Sequence, residues 1–267
     1  MKSFFTDQEK KFFKNYYQKG YCIFDVKNLD SLNFIKNNIK KLIFNENKKI
    51  KIKENDPFNY LHHFVKTKNI NNFRLNIIKN LNKLKDLRYH YYKVSSPYIE
   101  MISGNELVMQ KNINLSIQMP KDDESLLDVH ADTWSGDSAY ETVVWIPLVN
   151  CKDTKSMFIL PANKYKNFTK MTYKKNIGDT QKLFNFLKKD FEWIDIKFGQ
   201  VLLFNQTLPH GNIVNKSKET RFSMNCRFKS IFAPYGDKKI GEFFEPITLR
   251  PASKIGMEYA LPKFRSK

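Results

Sequence analysis

Cysteine is scarce, with three residues, Cys22, Cys151 and Cys226, in a chain of 267. Odd in number and widely spaced, they make neither a disulfide framework nor a zinc motif, which favours a reducing compartment, the cytoplasm by default. Long apolar runs are also missing. The longest, such as Val143 to Val149, are far too short to span a bilayer, and Met1 to Lys10 lack the apolar core of a signal peptide, so a soluble protein is expected. Acidic residues are few, 27 against 46 Lys and Arg, leaving a net charge of +19. Such a charge suits nucleic acid, anionic glycan or a membrane surface. Lysine, asparagine, isoleucine and phenylalanine all have A/T-rich codons, however, and a spread of lysines is ordinarily a solvated face. The densest run, Lys36 to Lys53, follows a helical pattern and lacks the aromatic interleaving of a single-strand stacking platform, so nucleic acid is not the expected partner.

A hydrophobic content of 41% is enough to bury a sizeable core, and with no internal repeat or low-complexity linker the expectation is one domain, 1–267. Thr6-Asp-Gln-Glu9 is a capping box that opens a helix towards Gly20, and Gly20 to Val26 reads as a first strand. Leu32, Ile35, Ile39, Leu42 and Ile43 recur at helical spacing, as do Ile70, Phe73, Ile77, Leu81 and Leu84, marking core-facing stripes. From about Tyr98 the pattern changes to short β-rich runs: 112–119, 141–149, 156–160, 200–205 and 220–230. A helix near 180–189 interrupts them. The expected architecture is a helical part over 1–97, with its first strand, packed on a β-sandwich or barrel over 98–267.

In Asp128-Val-His130-Ala-Asp132, alternation along an extended segment sends His130 and Asp132 to the same side, where both can bind one metal. Eighty residues later, His210 follows the apolar strand 201–204, and a barrel can bring these strand ends together. Two histidines and one carboxylate on one face of an octahedral metal leave three positions open, the facial triad of non-haem Fe(II) sites. A lone histidine is more often structural; the downstream strand supplies the second signal. Along Thr220 to Phe228, Arg221, Ser223, Asn225 and Arg227 fall on one face and Phe222, Met224, Cys226 and Phe228 on the other. Arg221 lies eleven residues after His210, where a returning strand carries its guanidinium beside the metal. That planar fork can take the distal carboxylate of a dicarboxylic co-substrate, with Ser223 donating a further hydrogen bond. The alternatives are a structural salt bridge for Arg221 and a surface hydroxyl for Ser223.

The order His130-x-Asp132, His210, Arg221-x-Ser223 resembles the Fe(II)/2-oxoglutarate dioxygenases, particularly the phytanoyl-CoA hydroxylase-like branch. The segments His130-Ala-Asp-Thr-Trp-Ser-Gly-Asp-Ser138, Val144-Trp-Ile-Pro-Leu148, Leu208-Pro-His-Gly-Asn212, Ser223-Met-Asn-Cys-Arg-Phe-Lys229 and the stretch from Pro234 to Arg250 look like the sporadic carbohydrate cluster 2-oxoglutarate/Fe(II) oxygenases, over about residues 112–262. One departure is Leu160-Pro-Ala-Asn-Lys164, where many phytanoyl-like relatives carry Pro-Gly-Ser-His; it leaves the ligands untouched.

The resemblance implies a double-stranded β-helix (jelly-roll, cupin-like) fold and an enzyme that couples O2 and 2-oxoglutarate, converted to succinate and CO2, to oxidation of a sugar or sugar-containing precursor. It implies Fe(II) on His130, Asp132 and His210, with the C5 carboxylate of 2-oxoglutarate on Arg221 and Ser223 and Gln118 as a candidate for its C1 end. The carboxylate at Asp132 favours hydroxylation, or a desaturating or ring-forming variant, over halogenation. Trp134, Ser135 and Asp137, with Tyr235, Asp237 and Lys238, are candidates for the pocket mouth, a tryptophan among short polar residues suiting a sugar; equally, Trp134 packs its own loop. His62, His63 and His90 have no ligand spacing and are read as structural. Two rival functions remain: oxidative demethylation of nucleic acid, and a catalytically silent barrel that binds a metabolite.

Overall fold

The computed structural model describes residues 3–47, 57–165, 168–169 and 179–262. Helix α1 (Asp7–Lys19) opens with the expected capping box, in which Thr6 Oγ1 accepts from the Glu9 N–H at 3.2 Å and Glu9 accepts from the Thr6 N–H at 2.8 Å. Gly20, at φ 75°, ends the helix and feeds β1 (Tyr21–Asp25). Helices α2 (Leu29–Glu46) and α3 (Ile70–Leu81) bury the apolar stripes read from the sequence, with Leu42 and Leu84 half-buried at the edges. The Lys48 to Lys53 part of the basic run lies outside the described residues. Helix α4 (Leu87–Ser95) packs on α2, and its buried Tyr91 donates a 2.9 Å hydrogen bond to Val144 O in the sheet.

The change to β structure comes later than residue 98. Tyr98–Ser103 form helix α5, between Pro97 and Gly104. Six residues are too few to register a 3.6-residue period, and their tyrosine and isoleucines read as strand. The strands then follow as β2 (Leu107–Gln110), β3 (Asn114–Gln118), β4 (Thr142–Pro147), β5 (Phe158–Ile159), β6 (Glu192–Trp193), β7 (Gln200–Asn205), β8 (His210–Gly211), β9 (Arg221–Ser230) and β10 (Phe244–Pro246). Helix α6 (Thr180–Leu187) lies between β5 and β6, and α7 (Pro251–Glu258) is the last helix of the described residues. Seven strands form an antiparallel sheet in the order β1-β7-β4-β9-β2-β10, with β3 also on β9; a second sheet runs β6-β5-β8. Neither sheet closes into a barrel among the described residues, because the second has strands of two residues each and the 119–141 connection runs through turns. One isolated bridge, His130 to His210, ties that connection to β8.

Strand β9 organises the large sheet. Its first half pairs with β3, with Asn114 opposite Asn225, Ser116 opposite Ser223 and Gln118 opposite Arg221; its other edge pairs with β4, and its end with β2. One apolar cluster joins Phe222, Met224, Cys226 and Phe228 of β9 to the stripes of α2 and α3 and to Tyr91 and Val94 of α4. A second cluster, including Phe158, Leu183, Leu187 and Phe191, seats α6 on the small sheet. No described helix is long and apolar enough to cross a membrane, and all three cysteines are free thiols.

Because Ile39 is fully buried where α2 meets the core, Ile39→Ala is expected to cost about 2–5 kcal/mol. Urea unfolding followed by circular dichroism should show a lower midpoint with an unchanged slope.

Candidate metal centre and its cavity

Segment 128–132 and strand β8 bring His130, Asp132 and His210 together, with one donor atom from each lying within 4.8 Å of the others. Backbone pairing fixes the approach: His130 N donates to His210 O at 3.0 Å and His210 N to His130 O at 2.8 Å. Ala131 is extended as expected, but Asp132 already opens a short 3-10 turn to Ser135, so the strand-like alternation ends there. Each imidazole is oriented the same way. His130 Nδ1 contacts Asp128 O at 2.7 Å and His210 Nδ1 contacts Leu208 O at 2.9 Å. A carbonyl can only accept, so both Nδ1 atoms carry the proton and both Nε2 lone pairs remain for a metal.

Electrostatics favour the ligating forms. Burial, aided by neighbouring His130, pushes the His210 imidazole down to about 4, so it is neutral at pH 7. Burial works to raise the Asp132 carboxyl, but His210, Arg227 and His130 outweigh it and hold it below the usual carboxylate range. Among the described residues this is the one group of three or more His, Cys, Asp or Glu side chains placed to hold a metal. His62 contacts Thr220 Oγ1 at 2.9 Å, and His90 contacts Ser31 Oγ at 3.0 Å while stacking on Phe34.

The triad opens onto a cavity of about 290 Å³. The polar face of β9, Arg221, Ser223, Asn225 and Arg227, forms one wall, and Asn114 and Ser116 of β3 continue it. Arg221 is the unusual group. It is 3% exposed, and it donates to neutral acceptors, Ser156 O at 3.3 Å and Ser116 Oγ at 3.1 Å. Among the described residues no carboxylate pairs with it, and both its Nε and the buried Ser223 hydroxyl lack a partner. Burial lowers the guanidinium to about 10, which leaves it charged at neutral pH. A buried cation needs an anion, and the free Nε–H with the adjacent hydroxyl forms a cradle suited to a carboxylate. The residues thus fit both a divalent metal and a carboxylate ligand within one cavity.

The other sequence candidates fall elsewhere. Gln118, opposite Arg221 on β3, is fully buried, donates to Ile213 O at 2.9 Å and is not among the residues lining the cavity, with its Oε1 unpartnered. Trp134 stacks on Phe168 at 6.0 Å, and it and Ser135 are exposed. Asp137 and Lys238 form an ion pair at 2.7 Å, Tyr235 lies under the Lys229 ammonium, and Asp237 is exposed. None of these six lines the cavity. Missed from the sequence were the lining residues Asn114, Ser116, Asn212 and Trp145, and any role for Arg227. The β3 alternation 114, 116, 118 held a signal, but it needed the β3–β9 register to be read.

No protein-family model and no curated protein matches the sequence. Solved structures do. HygX from Streptomyces hygroscopicus, with nickel and 2-oxoglutarate bound, superposes with a TM-score of 0.51 at 12% identity, over 88% of this chain and 90% of that one. The non-haem α-ketoglutarate-dependent carbocyclase SnoK from nogalamycin biosynthesis gives 0.51 at 13% identity, over 92% and 97%. The nickel complex of the non-haem monooxygenase ThoJ gives 0.50 at 11%, over 95% and 88%. At these identities the likeness is one of fold, and the chain has the fold in which HygX holds nickel and 2-oxoglutarate.

Proposed function

We propose that the protein is an Fe(II)- and 2-oxoglutarate-dependent oxygenase acting on a sugar-containing small molecule. The carrying observation is a single cavity that holds both a His-Asp-His ligand set and a buried guanidinium with no carboxylate partner among the described residues. On this reading the two sheets are the halves of a double-stranded β-helix within one cytoplasmic domain.

His130, Asp132 and His210 would hold the iron, and Arg221 with Ser223 the distal carboxylate of 2-oxoglutarate. When bound, iron and co-substrate supply the oxidising chemistry, with O2 consumed and 2-oxoglutarate released as succinate and CO2. The chain's own part is binding and orientation. The two Nδ1–H···O=C contacts lock both rings, and β9 holds the arginine rigidly beside them. Asn114, Asn212, Asn225 and the Trp145 ring line the rest of the cavity, amides and an aromatic face that suit a hydroxyl-rich ligand. Asp132 at the third ligand position supports hydroxylation, with desaturation or ring closure as variants. Gln118, opposite Arg221 on β3 with its buried Oε1 unpartnered, stays a weaker candidate for the C1 end of 2-oxoglutarate.

Anaerobic titration with Fe(II) and 2-oxoglutarate is expected to produce a visible charge-transfer band that requires both. His130→Ala and Asp132→Ala should abolish it, and Arg221→Ala should weaken 2-oxoglutarate binding by tenfold or more, on the order of 1.4 kcal/mol or above. Folded wild-type protein with no band would refute the assignment. A second expectation concerns stability. Since Arg221 is buried with no carboxylate partner among the described residues, Arg221→Met should leave the melting temperature of the ligand-free protein unchanged or raised, while 2-oxoglutarate with Fe(II) stabilises the wild type alone. A large loss of stability in Arg221→Met without ligand would show that the guanidinium serves the fold.

A further inference from the structure

Beyond Asp132, residues 133–138 and the segment 234–238 meet each other rather than the cavity. Asp237 N donates to Gly136 O at 2.9 Å, and Ser138 Oγ donates to Pro234 O at 2.6 Å. The approach leaves no room for side chains. A Cβ on Gly136, whose φ is +87°, would lie 1.9 Å from Asp237 Oδ2, and one on Gly236 would lie 2.2 Å from Gly136 O. Beneath this seam sits Asp137, its side chain 1% exposed, between Lys238 Nζ at 2.7 Å and Arg227 Nη2 at 3.4 Å. The same Arg227 Nη2 lies 3.1 Å from Asp132 Oδ1, and its Nε donates to Gln206 Oε1 at 3.1 Å. Gln206 is held in turn, donating to Ser138 O at 2.7 Å.

We infer that Arg227 is a positioning residue for the metal-ligating carboxylate, and that Asp137, closed under the 136/236 seam and paired with Lys238, holds Arg227 in place. The inference rests on the metal reading of His130, Asp132 and His210. A carboxylate that ligates a metal has rotational freedom about its Cβ–Cγ bond, and a fixed guanidinium on Oδ1 removes it. Arg227 also lines the cavity, so a rival role is to bind an anionic substrate group. The guanidinium is already engaged within the protein, by Asp132, Asp137 and Gln206. Asp137 and Lys238 thereby gain a role without touching substrate.

Charge and position oppose each other here, which makes the test decisive. Arg227 carries positive charge beside a cation site, so if it acted as charge alone, Arg227→Gln would tighten metal binding. If it acts by holding Asp132, the same change loosens it. The experiment is anaerobic titration of the full chain with Co(II), without 2-oxoglutarate or substrate, following the visible d–d spectrum. Arg227→Gln and Arg227→Lys are each expected to weaken Co(II) binding by about 10–100-fold and to alter the band shape. Asp137→Asn should weaken it in the same direction, and the Asp137→Asn/Arg227→Gln double variant should bind no more weakly than Arg227→Gln alone. Tighter or unchanged Co(II) binding in the Arg227 variants, or additive losses in the double variant, would overturn the inference. So would an effect confined to KM for substrate. Wild-type protein that binds no Co(II) would instead remove the metal reading itself.

Discussion

A positive charge buried with no carboxylate partner among the described residues is the constraint around which the site is arranged. Arg221 reaches that position because β9 is paired on both edges, to β3 and β4, so its alternate side chains have only two destinations. Phe222, Met224, Cys226 and Phe228 join the apolar cluster shared with α2, α3 and α4, and that burial drives the opposite face, Arg221 included, into the cavity. A one-residue slip of β9 would reverse both faces, placing a guanidinium in the core and phenylalanines in the cavity. The helical layer therefore protects the register that presents Arg221, and the unmet desolvation of the guanidinium is sustained by the packing behind it.

The second organising feature is how charge is divided along β9. Arg227 lies six positions after Arg221, and the strand carries both to the same cavity wall. Their surroundings differ in kind. Arg227 is neutralised by Asp132 and Asp137, whereas Arg221 faces a carbonyl and a hydroxyl. Two identical side chains on one strand thus present a compensated and an uncompensated charge. On the proposed reading, an incoming carboxylate would gain more from the uncompensated one, while a metal cation would meet Asp132 at the compensated one.

Much of this was legible in the sequence because it is written in short periods. The α2 and α3 stripes obey 3.6, β9 obeys 2, and the capping box at Thr6 and Glu9 is a local exchange of hydrogen bonds. What escaped is either too short or too distant. Helix α5 is six residues long, and the turn at Asp132 breaks an alternation that holds only through Ala131. The long-range pairs are harder still. Asp137 meets Lys238 and Arg227 across about 90 to 100 residues, and nothing periodic announces an ion pair between a loop, a strand and another loop. Resemblance singled out each of the segments around 130–138 and 234–238, but not their contact with each other.

That mutual contact changes how a polar motif beside a metal site should be read. Trp134, Ser135, Asp137, Tyr235, Asp237 and Lys238 have the composition of a sugar-binding mouth, yet the cavity is lined by residues from β3, β4, β7, β8 and β9, with Leu127, His130, Asp132, Met157 and Asn212. Side chains on paired strands are held by backbone on both sides, so they can present amides and a guanidinium at fixed positions. Loop residues such as Asp137 and Lys238 reach that precision only by locking each other. Buried to 1%, Asp137 would have to surrender its salt bridges to reach a ligand, and separating it from Lys238 and Arg227 would leave a charge unpaired at a cost of about 3–5 kcal/mol. Substrate selectivity should therefore be sought on the strands, where Asn114 faces Asn225 and their side chains share a 2.8 Å hydrogen bond at the cavity wall. That bond is exposed and neutral, and a ligand hydroxyl can replace it with little penalty.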